Sequence, residues 1–121
     1  MSSAYSDHFD TEDVGGVTLV TTTTELIRHP PQAQEFSEDL ARLVNHEMRT
    51  KIVINMSKTR YLGSSAFAAL IGLSKLVNSK GGKLALCELD PDVMVGANIL
   101  GLGTIMPIYE AEKEALEAVA S

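Results

Sequence analysis

Two adjacent serines, Ser64 and Ser65, stand where a phosphate could be held or attached. They follow the apolar run Lys51-Ile-Val-Ile-Asn-Met56 and the loop residues Arg60-Tyr61-Leu62-Gly63, and they open the stretch Ala66-Phe-Ala-Ala-Leu70. This order reads as a buried strand, a short loop and the first turn of a helix. A helix start leaves backbone N–H groups without partners and carries partial positive charge, which favours a phosphate, bound or covalent. Serine is also a preferred N-cap, so one of the pair can equally do no more than start the helix.

Other side chains offer less. The three histidines, His8, His29 and His46, fall in a tail, a proline turn and a helix face, without metal-ligand spacing. No metal and no cofactor is expected. A nucleophilic serine needs a base and a third group to orient it. No such set is visible, so the chain does not read as an enzyme. Cys87 is the single cysteine. It excludes an internal disulfide, suits a reducing compartment, and sits in an apolar strand pattern where a thiol acts as a small apolar side chain. There is no phosphate-binding glycine loop, and Gly101-Leu-Gly103 is too short to count as one. The acidic run Glu110, Glu112, Glu114 and Glu117 reads as a solvated helix face.

The bulk numbers bound the rest. At 121 residues, 45% apolar and 21% charged, the sequence has the size and composition of one globular domain. A net charge of −6 opposes a nucleic-acid surface. The longest uninterrupted apolar run, Ala66 to Ile71, is six residues, far below a membrane span, so no direct membrane insertion is expected. The polar N-terminus lacks a signal-peptide layout, and the expected location is cytoplasmic.

These residues must be positioned by alternating strands and helices. Residues 1–13 are expected to form a loose tail, and residues 14–121 one domain. Gly15-Gly16 marks a turn, and Val17–Thr24 is β-branched and strand-like. Glu25–Arg28 extends that strand or forms a second short one, and His29-Pro30-Pro31 stops it. From Gln32 to Met48 the period changes to helical, with Phe36, Leu40, Leu43, Val44 and Met48 on one face. Lys51–Met56 is a strand covered on both faces. A helix from Ser65 to about Ser79, ended by Gly81-Gly82, places Phe67, Leu70, Ile71 and Val77 toward the sheet. Its other side, Ala69, Leu73 and Leu76, is either covered by another element or left open as a docking face. Lys83–Glu88 is a strand. Asp90-Pro91 caps a short helix to about Ile99. Ile105–Tyr109 is an edge strand, since it contains Pro107, and Glu110–Val119 is a terminal helix. The expected architecture is α/β, a mixed sheet of four to five strands with helices packed on it.

At Tyr61-Leu-Gly-Ser-Ser-Ala-Phe-Ala-Ala-Leu70, Lys80-Gly-Gly-Lys-Leu-Ala-Leu-Cys87 and Asn98-Ile-Leu-Gly-Leu-Gly-Thr-Ile-Met-Pro-Ile-Tyr109, the chain resembles a STAS domain, and more narrowly the bacterial anti-sigma-factor antagonists. The resemblance spans residues 50 to 118 in motif and residues 14 to 49 in element order. It implies partner switching. The unphosphorylated antagonist binds an anti-sigma factor that is also a serine kinase, and a phosphatase resets the phosphorylated form. The family's acceptor maps to Ser65, with Ser64 beside it and second to it. Arg60, Tyr61, Gly63, Ser64, Ser65, Ala66, Ala69 and Leu73 are the partner-binding residues it implies, and a weak homodimer is compatible with it.

The chain departs from the family pattern at the motif itself. Gly63 replaces an acidic residue, Ala66 and Ala68 replace glycines, and Thr23–Arg28 has no aspartate where the early strand usually carries one. Two other roles are found among such domains: docking without phosphorylation on a transporter or lipid-transport ATPase, and sensing a small molecule.

Overall fold

Ile52, Val53 and Ile54 follow one another in sequence and all are fully buried. Successive strand residues point to opposite faces, so such a run requires cover on both. The computed structural model, which describes residues 6–121, provides it. The run forms β4 (Lys51–Asn55), the centre of a five-stranded sheet. On one side of β4 lie β2 (Val17–Thr22) and β1 (Phe9–Val14); on the other lie β6 (Lys83–Cys87) and β7 (Ile108–Tyr109). The β1–β2 pair is antiparallel and the other three pairs are parallel. Between the parallel strands run α1 (Pro30–Asn45), α2 (Ser64–Ser79) and α3 (Pro91–Ile99), and α4 (Glu112–Ala120) ends the chain.

The alternation sorts the core into two layers. Val20, Ile52, Ile54, Leu84 and Leu86 meet α1, α2 and α3 through Phe36, Leu40, Leu70, Val77 and Val93. Leu19, Val53, Ala85 and Cys87 meet Ala115 and Val119 of α4 on the other face. Each large side chain so buried contributes about 1.5–3 kcal/mol. Asp90 caps α3 as expected, accepting from Asp92 N–H at 2.9 Å, with Pro91 in the first turn. The end of α2 is also as expected. Gly81, at φ +74°, donates to Asn78, and Gly82 donates to Val77 at 2.9 Å, a Schellman closure.

Three expectations are corrected. Within the predicted loose tail, residues 9–14 form β1, and residues 1–5 lie outside the described residues. Gly15 and Gly16 both take positive φ and close a two-residue hairpin that holds β1 on β2. His8, placed by the sequence in that loose tail, is held in the fold as well. It is buried, with Nδ1 2.8 Å from Thr24 Oγ1 and Nε2 3.0 Å from Glu35 Oε1, so it fastens the chain start to α1. Met48, read as part of the apolar helix face, lies beyond the end of α1 with φ 57° and is exposed.

Cys87 is buried in β6, and its thiol is pushed up to about 12, first by burial and then by the charges of Glu88 and Glu112. The thiolate is the reactive form, and raising the acid's pKa empties it near neutrality. We expect no labelling of the native protein by a thiol reagent at pH 8, and one label per chain once urea unfolds it.

Candidate functional site

The loop that delivers the serines is braced from both ends. Thr59 is fully buried, and its hydroxyl lies 2.6 Å from Thr22 Oγ1 and donates to the Thr24 carbonyl at 2.9 Å. Asn55 accepts from Ser57 N–H at 2.9 Å and donates to Glu112 Oε1 at 2.7 Å. Buried polar groups satisfied in this way hold one geometry, because losing a partner leaves the other unpaired at a cost of about 1–3 kcal/mol. Beyond the loop, β3 (Leu26–Ile27) and β5 (Tyr61–Leu62) form a separate two-stranded parallel pair. Arg60 and Tyr61 donate backbone N–H bonds to the Glu25 carbonyl, and Gly63 donates to Ile27 at 2.8 Å. The Arg60–Glu25 ion pair, 3.9 Å long with both side chains about two-thirds exposed, adds little. Backbone pairing therefore fixes where α2 begins.

Gly63, not a serine, is the N-cap of α2. Its carbonyl accepts from Ala66 and Phe67 N–H, each at 3.0 Å. A Cβ here would lie 3.3 Å from the Arg28 carbonyl oxygen and 3.4 Å from that of Ile27, so glycine suits the close approach of β3. The alternative left open by the sequence, a serine acting only as the cap, is thereby removed. Ser64 and Ser65 occupy the first two helical positions, both exposed, and among the described residues neither hydroxyl makes a hydrogen bond. They differ in surroundings. Ser65, with Ala68 and Ala69, lines an open cleft of about 290 Å³ whose other wall is Pro30, Ala33, Gln34 and Ser37 of α1. Ser64 is not part of that wall.

The structure separates the residues implied as partner-binding into two groups. Arg60, Tyr61, Ser64 and Ser65 are exposed around the helix start. Gly63, Ala66, Ala69 and Leu73 are turned inward. Ala69 and Leu73 belong to the same core layer as Phe36 and Leu40, so α1 covers the face that the sequence left open as a docking surface. The exposed line of α2 is instead Ser65, Ala68 and Gly72. Helical spacing counted from Ser65 gives these positions, three and seven residues on, and was the signal that could have found them.

The chain matches the family model of the STAS domain over residues 8–115. It is 33% identical over 101 residues to an anti-sigma F factor antagonist of Paenibacillus polymyxa, covering 84% of this chain and 85% of that one. An anti-sigma-factor antagonist (STAS) domain protein from Planctomyces limnophilus superposes with a TM-score of 0.76 at 21% identity, over 93% of this chain and 98% of that one. The Bacillus cell fate determinant SpoIIAA, in its phosphorylated form, superposes with a TM-score of 0.69 at 18% identity, over 92% and 98%. The sheet order, the helix start at Ser64 and these likenesses agree: the chain belongs to the STAS domain family, among its anti-sigma-factor antagonists.

Proposed function

We propose that this chain works by partner switching, binding an anti-sigma factor when unmodified and releasing it when Ser65 is phosphorylated. The observation that carries the reading is the pair of uncommitted hydroxyls on the first turn of α2, of which only Ser65 faces the cleft against α1. The kinase is the anti-sigma factor itself, and a phosphatase restores the unmodified form. A phosphate brings close to two negative charges at neutral pH and three strong acceptors. The start of α2 stabilises such a group within the protein, through open N–H groups and the helix dipole. The cleft walls, Pro30, Ala33, Gln34, Ser37, Ala68 and Ala69, offer a partner an uncharged surface of small and polar side chains. Pressing a partner onto that surface over a doubly charged group would strip its water, so the complex is lost without refolding. The fold relative SpoIIAA exists in a phosphorylated form, so this architecture accepts the modification.

The family's acidic position before the serines is Gly63 here, and Thr23–Arg28 has no aspartate, so in this reading the kinase supplies the base that deprotonates the Ser65 hydroxyl. Intact-mass measurement with site mapping, on protein isolated from its own host cells, tests the reading. A fraction carrying one phosphate on Ser65 is expected. Protein wholly unmodified under several growth conditions would overturn it.

A further inference from the structure

Charge is distributed unevenly along this chain. Residues 1–83 hold nine acidic and nine basic side chains, so the entire net charge of −6 arises from residues 84–121, where Lys113 is the one basic residue. Within that last third, residues 93–109 contain no charged side chain at all. Such a segment is expected to be buried, yet Val95, Ile99, Leu100 and Ile105 are 58%, 79%, 48% and 40% exposed. Four large apolar side chains on one short helix and the turn after it form a patch of the kind that marks an interaction surface.

The fold places α3, which carries part of this patch, against the start of the helix that bears the serines. Phe67, in the first turn of α2, lies so close to α3 that a Cβ at Gly96 would be 3.1 Å from its ring, and β5 also borders α3. Tyr61 of β5 is half exposed. The carboxyl ends of β4, β6 and β7 lead respectively to the serine loop, to Glu88, Asp90 and Asp92, and to Glu110. The serine-bearing helix start, these carboxylates and the uncharged apolar slope therefore lie on neighbouring elements. We propose that the anti-sigma partner covers this slope as a second contact, with an apolar surface bordered by basic side chains. The proposal rests on the partner-switching reading. A second copy of this chain is a poor occupant, because it would bring two acidic fringes together. The two flanks of α2 then have separate tasks. The neutral cleft beside Ser65 senses the phosphate, and the acidic, apolar flank supplies affinity and steering.

The test is the affinity of the purified full chain for the anti-sigma factor of its host, measured by calorimetry at two salt concentrations. The paired substitution Val95→Ser with Ile99→Ser should weaken binding by about ten-fold or more. Glu110→Lys should weaken it by several-fold at low salt and less at high salt. Both sets are exposed, so unchanged melting temperatures are expected. If these variants bind within two-fold of wild type while Ser65→Asp loses binding, the second contact is overturned and partner switching stands. If wild type does not bind the anti-sigma factor at all, both fail together. Sedimentation of the chain alone supplies the remaining outcome: a dimer dispersed by the paired substitution would assign the slope to a second copy and overturn the proposal.

Discussion

Ser65→Asp should weaken binding to the anti-sigma factor by about a hundred-fold, while Ser65→Ala stays within a few-fold of wild type. The asymmetry follows from what each change does at the cleft. Alanine removes a hydroxyl that has no partner within the protein, so nothing is left unsatisfied. Aspartate puts a fixed charge in a cleft whose walls, Pro30, Ala33, Gln34, Ser37 and Ala68, carry no opposite charge, and a bound partner would exclude the water that solvates it. Ser64→Asp is the matched control: it adds the same charge one position away, outside the cleft, and should cost far less. Misfolding does not account for the expected loss. An acidic residue in the first turn of a helix is favourable by about 0.3–1 kcal/mol, so Ser65→Asp should melt no lower than wild type. Calorimetric titration and thermal unfolding of the same three variants check both halves. Equal binding by Ser65→Asp and Ser65→Ala would end the switch as a mechanism.

The largest effect on stability is expected far from the serines, at Gly82. A Cβ there would run into the Thr50 carbonyl oxygen and lie 2.8 Å from Thr50 Cβ. The carbonyl is not free to move aside, because it accepts the Lys83 N–H at 2.8 Å where β4 and β6 begin their pairing. Relief would have to come from shifting the first residues of two central strands, or from breaking the α2 closure in which Gly82 donates to Val77. We expect Gly82→Ala to cost about 3 kcal/mol, a large share of the 5–15 kcal/mol typical of a domain. In urea this is a drop in midpoint of about 1–2 M. Gly72→Ala is the instructive contrast. Gly72 lies mid-helix with open space around it, so alanine should stabilise by about 0.5–1 kcal/mol. A Gly82→Ala midpoint close to wild type would show that the β4–β6 entry yields more easily than its geometry implies.

The parts of this fold that were legible in the sequence are those governed by local rules. The buried β4 run, the Asp90-Pro91 cap and the Gly81 closure each follow from one residue type in one setting. The strand expected over Ile105–Tyr109, by contrast, shrinks to Ile108–Tyr109, because the turn at Leu102–Thr104 runs on into Ile105 and Pro107 stands before the strand. What escaped is instructive. Phe9–Val14 alternates weakly and carries three carboxylates, so its pattern does not read as a strand. The Gly15-Gly16 turn carries the stronger signal, since a two-residue glycine turn demands a strand on each side. The cap of α2 was obscured by a general preference: serine outranks glycine at N-caps, yet here the approach of β3 leaves room only for Gly63. The covered face of α2 could not be resolved by periodicity at all. A helix that is apolar nearly all round is either buried on two sides or exposed on one, and only the position of α1 decides between them. The exposed slope of α3 was likewise hidden, because an uncharged stretch reads as interior.

The two outer strands of the sheet have a consequence for how this protein can assemble. On one side the border is β1, whose Asp10, Glu12 and Asp13 face solvent. On the other it is β7, two residues long and preceded by Pro107. Charge on one border and brevity with proline on the other both discourage a further strand from joining. A partner is thereby directed to faces built of side chains rather than to the edges of the five-stranded sheet. Associations made through side chains alone stay reversible, because the backbone ladder that would make them permanent is discouraged at both edges of the five-stranded sheet.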